Sequence, residues 1–99
     1  MKTKKKGKIM NEQLPEVQYY FDEENPVRGL FFNNDVWIVA KDLITPFGLP
    51  FEGEKTVEFI PAKWRCWIKG VSLHGTEVFL CLSEPGIKLL FDKLIAMGY

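Results

Sequence analysis

The chain has 99 residues, of which 46% are apolar and 14% aromatic, which is enough for one hydrophobic core and too little for two. No stretch of about 18 apolar residues occurs, so the sequence predicts no membrane span. The net charge is zero, but residues 1 to 10 hold five lysines and no acid, so residues 11 to 99 carry 8 basic and 13 acidic residues. An acidic body opposes binding to phosphate-rich partners such as DNA.

The lysine-rich start is followed by polar residues and Pro15, which argues against a secretion signal and favours a cytoplasmic protein. We expect residues 1–15 to form a flexible basic tail, either solvated or used as a nucleic-acid-binding arm, and residues 16–99 to form a single domain. Two cysteines, Cys66 and Cys81, and a single histidine, His74, are too few ligands for a usual zinc site. The sequence predicts no metal and no cofactor, and it favours reduced thiols packed in the core.

The first predicted elements are strands. Val17 to Phe21 is β-branched and aromatic, and it ends in a turn cluster, Asp22 to Pro26. Val27 to Phe32 and Val36 to Ala40 are also β-prone, and Asn33-Asn34-Asp35 separates them with side chains that tolerate left-handed turn conformations. This spacing predicts a hairpin.

The next segment predicts a short helix and then a strand. Lys41 to Ile44 has a helical pattern, and the Asp42 carboxylate lies in the first turn, where it favours the helix. Pro46 and Gly48 should end this helix after little more than one turn, because proline forces the residue before it out of the helical conformation. Thr56 to Ile60 alternates between polar and apolar residues and is predicted to be a strand.

The last part of the chain predicts a second hairpin and a helix. Trp64 to Val71 and Thr76 to Leu82 are the strands, and Ser72 to Gly75 is the turn. For the helix, Ser83 is placed as N-cap, Glu84 and Pro85 suit the first turn, and Gly98 suits the end. Its predicted core-facing side chains are Ile87, Leu90, Phe91, Leu94 and Ile95, opposite Lys88, Asp92 and Lys93.

These elements predict an α+β fold. A small, mostly antiparallel sheet should carry a short helix after the second strand of the first hairpin. An amphipathic C-terminal helix should pack on the same sheet.

Two blocks of sequence resemble a known family. One is Val27 to Leu49, around Trp37-Ile38-Val39-Ala40-Lys41-Asp42, preceded by Val17 to Phe21; the other is Leu82 to Leu90, which contains Ser83-Glu84-Pro85-Gly86. In order and spacing they resemble the Bro-N domain of phage antirepressors and of DNA-binding proteins of large DNA viruses. The positions that carry the resemblance are Trp37, Asp42, Gly48, Ser83, Glu84 and Gly86.

The resemblance implies a regulatory binding protein in the cytoplasm of a bacterial host. The chain departs from the family pattern at Pro46, which interrupts a helix that family members continue for another turn. The family pattern also continues past the second block with an aromatic-containing segment. We therefore expect either a compact variant or a fragment, truncated at its C-terminus.

Each matched residue also has a structural interpretation. Trp37 is expected mainly to fill the core. Arg28 is expected either to pair with an acid such as Asp42 or Asp35 or to contact a phosphate. Lys41 and Asp42 favour the start of a helix. The two blocks therefore indicate a fold more directly than an activity.

The strongest candidate binding surface is the run Lys63 to Lys69. In a strand, Lys63, Arg65, Trp67 and Lys69 share one face, and Trp64, Cys66 and Ile68 share the other. Lys55 and His74 extend this face, and Arg28 and Lys41 complete the set of candidate nucleic-acid or partner-binding residues. Three interpretations stay open: an anchor for a partner protein, a contact with nucleic acid, or a solvated face with Trp67 lying under its lysine neighbours.

These observations predict a phage- or prophage-type regulator that binds a repressor or DNA and so alters transcription. The alternative is a protein-interaction or host-factor inhibitor module, with homo-oligomerisation included, that binds no nucleic acid. No phosphate loop, nucleophile elbow or carboxylate pair accompanies His74, so the sequence does not predict an enzyme.

Overall fold

The computed structural model describes residues 14–20 and 24–99. Within these ranges the strands are β1 (Gln18–Tyr20), β2 (Val27–Phe32), β3 (Asp35–Val39), β4 (Arg65–Ser72) and β5 (Gly75–Leu82), and the helices are α1 (Ala40–Ile44), α2 (Glu54–Val57) and α3 (Glu84–Ala96). The sheet order is β1-β2-β3-β5-β4, with antiparallel neighbours throughout. The predicted α+β class is confirmed, including the short helix after β3 and the C-terminal helix on the sheet.

Some sequence predictions fall outside the described residues. These are the first 13 residues of the predicted basic tail, and Phe21 at the end of the first predicted strand. Leu14 and Pro15, which the prediction also placed in the tail, lie within the described part, and Pro15 contacts the sheet.

Both predicted hairpins are confirmed. The β2–β3 turn is Asn33-Asn34, with φ of 53° and 62°, which is the left-handed pair of a type I′ turn. Asparagine accepts this conformation because its side chain hydrogen-bonds locally. In the β4–β5 hairpin, Gly75 has a φ of 106°, which favours glycine. The hairpins therefore form where the sequence supplies the turn residues.

The two blocks that carry the family resemblance meet in the sheet. β3 pairs with β5 through Ile38 opposite Leu82 and Val39 opposite Cys81. The ladder ends there because the chain turns into α1 at Ala40. Among the described residues, Gly75 to Leu80 of β5 consequently have β4 as their neighbour on one side and no strand on the other.

The sheet curls until its two ends meet. The amide of Val71 on β4 donates to the Pro15 carbonyl (3.0 Å), and the amide of Val17 donates back to the Val71 carbonyl (2.8 Å). To continue toward Lys69, this parallel ladder would need a hydrogen bond donated by the backbone amide of residue 15. Proline has no amide hydrogen, so the ladder has one bridge within the described residues. The curl also brings the Leu30 side chain against Gly70, where a Cβ would collide with it.

Apolar side chains form one cluster on each face of this sheet. The inner face holds Leu30, Val39, Ile68, Phe79 and Cys81, with Trp37 packed against them. The second cluster lies between the outer face of the sheet, which we call the helix face, and the helices that pack on it. Its buried members are Ala40, Ile44, Val57, Ile60, Leu80, Leu82, Leu90 and Leu94. β5 contributes alternate residues to both clusters, so both of them pack against this strand.

The predicted strand at Thr56 to Ile60 is wrong. The chain forms α2 there, followed by a turn. The Thr56 hydroxyl accepts a hydrogen bond from the Glu52 amide (2.7 Å), and the Thr56 amide donates to the Gly53 carbonyl (3.1 Å), which closes a helical turn. Val57 and Ile60, three residues apart, are both buried, so the apolar spacing suits a helical turn as well as a strand.

α3 packs more narrowly than predicted. Its buried stripe is Gly86, Leu90 and Leu94, whereas Ile95 is 68% exposed and Phe91 is 36% exposed, contrary to the prediction. The stripe is narrow because Gly86, Leu90 and Leu94, which are four residues apart, form the side of α3 that faces Trp64 and the sheet. The neighbouring side chains of the helix lie at the edge of this contact. Gly98, with a φ of 97°, ends the helix as predicted. Among the described residues no helix has the length and apolarity needed to cross a membrane.

Ser83 precedes α3 at the predicted N-cap position but does not cap it through its side chain. Instead its amide and its hydroxyl both donate to the Trp64 carbonyl, at 3.0 and 3.4 Å. The same carbonyl would lie 2.7 Å from a Cβ placed on Gly86. The glycine thus allows the helix to approach the backbone before β4.

The close approach at Gly86 gives a stability test. Gly86→Ala should lower the free energy of unfolding by about 1–3 kcal/mol because backbone must move, although alanine favours helix by about 1 kcal/mol. Urea unfolding measures the change, and Lys88→Ala, on the exposed side of α3, is the control and should change little. A Gly86→Ala protein at least as stable as wild type would contradict the packing described here.

The two cysteines lie directly opposite each other on β4 and β5. Both are free thiols; Cys66 is partly buried and Cys81 is fully buried in the inner-face cluster. Burial raises the pKa of the Cys81 thiol from 9.0 to about 12, and the neighbouring Cys66 adds to this effect. Cys81 therefore stays protonated and unreactive in the folded protein.

We expect the two thiols to react at very different rates. With a thiol-specific disulfide reagent at pH 8, native protein should titrate at Cys66 first, and Cys81 should react only on unfolding. Cys66→Ser should remove the native reaction and keep the reaction in denaturant. Rapid modification of Cys81 in folded Cys66→Ser protein would contradict its burial.

Candidate binding surface

The alternation predicted for the Lys63 to Lys69 run is confirmed for β4. Arg65, Trp67 and Lys69 lie opposite Leu82, Leu80 and Val78 of β5, so they are on the helix face, while Cys66 and Ile68 are on the inner face. Lys63 and Trp64 are exceptions, since both lie before the strand in a 3-10 turn, and Trp64 packs against the helix-face cluster instead of the face of Cys66 and Ile68. The Lys63 ammonium group lies 5.2 Å from the centre of the Trp64 ring, a cation–π contact.

Trp67 is half exposed, yet its indole is held in place. The indole N–H donates to Oε2 of Glu54 at 2.7 Å, and 50% of the residue is accessible to solvent. Arg65 lies 3.8 Å from the same carboxylate oxygen and donates from Nε to the Ile60 carbonyl at 2.8 Å. A carboxylate acceptor strengthens the indole hydrogen bond and fixes the ring. Trp67 is therefore an exposed aromatic side chain with a defined orientation.

Sequence reasoning missed Glu54. Its position on α2, beside β4, depends on a helix that the alternation of Thr56 to Ile60 did not predict. The spacing of 13 residues between Glu54 and Trp67 carries no local signal. Lys55, the next residue, is exposed on α2.

A shallow depression lies beside Trp67. Its volume is about 280 Å³, and Lys41, Phe51, Trp67 and Val78 are among the residues that line it. It opens where β3 has ended and no strand continues beside the first half of β5. Val78 is 52% exposed and is the β5 partner of Lys69. We call the set Lys41, Phe51, Trp67, Lys69 and Val78 the Trp67 surface.

Arg28 also lines this depression but is engaged by Asp42. Nε and one terminal nitrogen of the guanidinium donate to the two carboxylate oxygens at 2.8 and 3.0 Å, and the Arg28 amide donates to Oδ2 at 2.9 Å. This hydrogen bonding raises the pKa of Arg28 above its usual value. The guanidinium carbon lies 5.1 Å from the centre of the Phe79 ring. Two roles were predicted for Arg28, pairing with an acid or contact with a phosphate, and the structure contains the pairing with Asp42.

The other motif residues occupy structural positions. The Trp37 indole donates to the Phe32 carbonyl at 3.1 Å across the first hairpin. Gly48, with a φ of 77°, ends the 3-10 turn Thr45–Phe47 that extends α1 past Pro46. Glu84 lies in the first turn of α3, and His74 lies exposed in the β4–β5 turn. None of these four residues lines the Trp67 depression.

A second feature that the sequence did not predict is an aromatic patch. The Phe47 ring lies 6.4 Å from Phe91 and 6.0 Å from Tyr99, both edge to face. Phe47, Phe91 and Tyr20 line a depression of about 460 Å³ between the sheet and the helices. The exposed Ile95 and Phe91 of α3 belong to this side of the helix, which explains why they are not buried.

The described residues contain no group of three or more histidine, cysteine or acidic side chains placed to hold a metal ion. Comparisons of the chain with protein-family models, with curated proteins and with solved structures found no match.

The Arg28–Asp42 pair gives a second stability test. Asp42→Asn should lower the free energy of unfolding by about 1–3 kcal/mol, because it leaves a partly buried guanidinium without its anion. Arg28→Met, which keeps an apolar stem over Phe79, serves as the matched variant. In a double-mutant cycle by urea unfolding the two changes should couple by about 1 kcal/mol or more. Strictly additive effects would contradict a direct interaction.

Proposed function

We propose that the chain is a phage- or prophage-type regulatory protein of the antirepressor kind, which acts in the cytoplasm of a bacterial host. It works by binding a repressor protein through the Trp67 surface and so keeps the repressor from its operator. The proposal gives it a binding role and no catalytic one.

The observation that carries this proposal is the fixed, half-exposed Trp67. Tryptophan and arginine are enriched among the residues that dominate protein interfaces. An anchor that is already ordered loses little conformational entropy on binding, so more of its contact energy contributes to affinity. The hydrogen bond to Glu54 provides this order, and the exposed Val78 beside it supplies further apolar area.

The family resemblance supports the proposal at the level of the type of domain. Its two blocks are adjacent in the sheet through the β3–β5 pairing, so they form one structural unit. Because Trp37, Asp42 and Gly86 serve packing there, the resemblance supports the type of domain, and the choice of partner depends on the Trp67 surface.

Duplex DNA is the second candidate partner. Exposed Lys41, Lys55, Lys63 and Lys69 lie on or next to the Trp67 surface, and lysines neutralise phosphates. However, Arg65 and Arg28, the two arginines, are engaged by Glu54, Ile60 and Asp42. Arginine is the side chain best suited to phosphate and to guanine edges, so its internal use favours a protein partner.

Expression of the full chain in a lysogen with a repressor-controlled reporter tests the proposal. Wild-type protein should raise reporter activity. Trp67→Ala should require about 30-fold more protein for the same effect, because loss of an anchor residue costs about 2 kcal/mol or more. The matched control is Phe31→Ala, which removes an exposed aromatic side chain from the same sheet face outside the Trp67 surface and should leave the effect unchanged.

A gel shift with mixed-sequence duplex DNA separates the two candidates. Under the proposal, wild type and Lys69→Gln behave alike at about 0.15 M salt, where weak phosphate contacts are screened. Retardation at that salt concentration that is lost in Lys69→Gln would favour DNA. A reporter that does not respond to wild-type protein, or that responds equally to Trp67→Ala, would reject the repressor-binding role of this surface.

A further inference from the structure

β4 is an edge strand along most of its length. On one side it pairs with β5 over all eight residues, whereas on the other side the described residues provide one bridge, from Glu16 to Val71. The lack of an amide at Pro15 prevents that bridge from continuing to Lys69. Arg65, Trp67 and Lys69 therefore have no strand beside them within residues 14–20 and 24–99.

The direction of the edge hydrogen-bonding groups follows from the bridge. Val71 uses both its amide and its carbonyl on the side away from β5. Backbone groups alternate along an antiparallel strand, so those of Trp67 and Lys69 point the same way as those of Val71. The Arg65 amide is already bonded to the Ala62 carbonyl, and the Cys66 thiol makes a weak 3.6 Å contact with the Trp67 carbonyl. Trp67 and Lys69 thus present the groups that an added strand needs.

Charge selects what this edge accepts. The exposed cation Lys69 lies next to Trp67 on the helix face, Lys63 lies in the turn before β4, and Lys55 lies next to Glu54. Each of these lysines repels a strand with basic side chains and attracts a strand with acidic side chains. Residues 11 to 99 are otherwise acidic, so this basic edge differs from the rest of the body.

We infer that the Trp67–Lys69 edge of β4 binds an extended acidic segment of the partner protein, which adds to the sheet as a further strand. The inference rests on the proposed function and specifies the partner chemistry. Main-chain hydrogen bonds to Trp67 and Lys69 supply affinity, as in other cases of strand addition. An acidic side chain of the segment faces Lys69, and the side chains that point to the other face of the sheet lie near Cys66.

Selection of short peptides from a displayed random library on the immobilised full chain tests the inference. Enriched peptides should alternate acidic and β-branched residues. On binding, such a synthesised peptide should slow hydrogen exchange at the amides of Trp67 and Lys69, which should exchange fast in the free chain. No enrichment, enrichment without acidic bias, or amides already protected in the free chain would each overturn the inference.

Two variants at one position separate main-chain pairing from charge. Lys69→Gln removes the charge and should weaken peptide binding about threefold. Lys69→Pro also removes the edge amide, which proline tolerates on an outward-facing edge, and should weaken binding about tenfold beyond Lys69→Gln. Circular dichroism and urea unfolding check that both variants fold. Equal binding by the two variants would overturn the inference.

The same measurements distinguish this inference from the proposed function. A reporter response that is lost in Trp67→Ala and kept in Lys69→Pro would leave repressor binding in place and reject strand addition. A response kept in Trp67→Ala, with peptide binding and amide protection intact, would reject the proposed role of Trp67 and support the edge as a docking site on its own.

Discussion

Four consecutive residues of β5, Phe79 to Leu82, are buried, and both apolar clusters of the molecule pack against them. Side chains alternate along a strand, so Phe79 and Cys81 serve the inner face and Leu80 and Leu82 serve the helix face. A strand buried on both sides must be covered by two layers. The curled sheet provides one layer and the helices provide the other.

This requirement explains the position of the binding surface. The helices cover the end of β5 that pairs with β3, and they leave its first half and the adjacent part of β4 uncovered. Val78 lies there at 52% exposure, and Trp67, opposite the buried Leu80, lies at the border of the covered part at 50% exposure. Glu54, at the start of α2, accepts the hydrogen bond that fixes the exposed indole. The exposed tryptophan is thus a consequence of where the helix layer ends, and its fixed orientation makes it suited to recognition.

The residues that resemble the Bro-N family mostly hold the structure together. Asp42 ties the start of α1 to β2 through Arg28, Trp37 closes the first hairpin, and Gly86 lets α3 approach Trp64. Residues with such structural roles leave the partner unspecified. The side chains argued to bind, Trp67 and Lys69, lie outside both blocks. Lys41 is the one member of the Trp67 surface that lies within a block, so the proposed activity depends mainly on residues that the family pattern does not include.

Local physical rules in the sequence determined much of this protein. The Asn33-Asn34 turn, the alternation of β4 and the start and end of α3 each depend on neighbouring residues, and each was predictable. The expectation that Pro46 forces Thr45 out of the helical conformation was wrong, because Thr45 keeps helical angles and a 3-10 turn continues through Pro46 to Gly48. Tertiary contacts decided the remainder. Thr56 to Ile60 has a spacing that suits either a strand or a helical turn, and packing of Val57 and Ile60 against the helix face selected the turn. That choice placed Glu54 beside Trp67, and it joined residues 13 apart that no local pattern relates. The curl of the sheet onto Pro15 likewise depends on contacts distant in sequence, and it left the Trp67–Lys69 edge open because proline has no amide to extend the ladder.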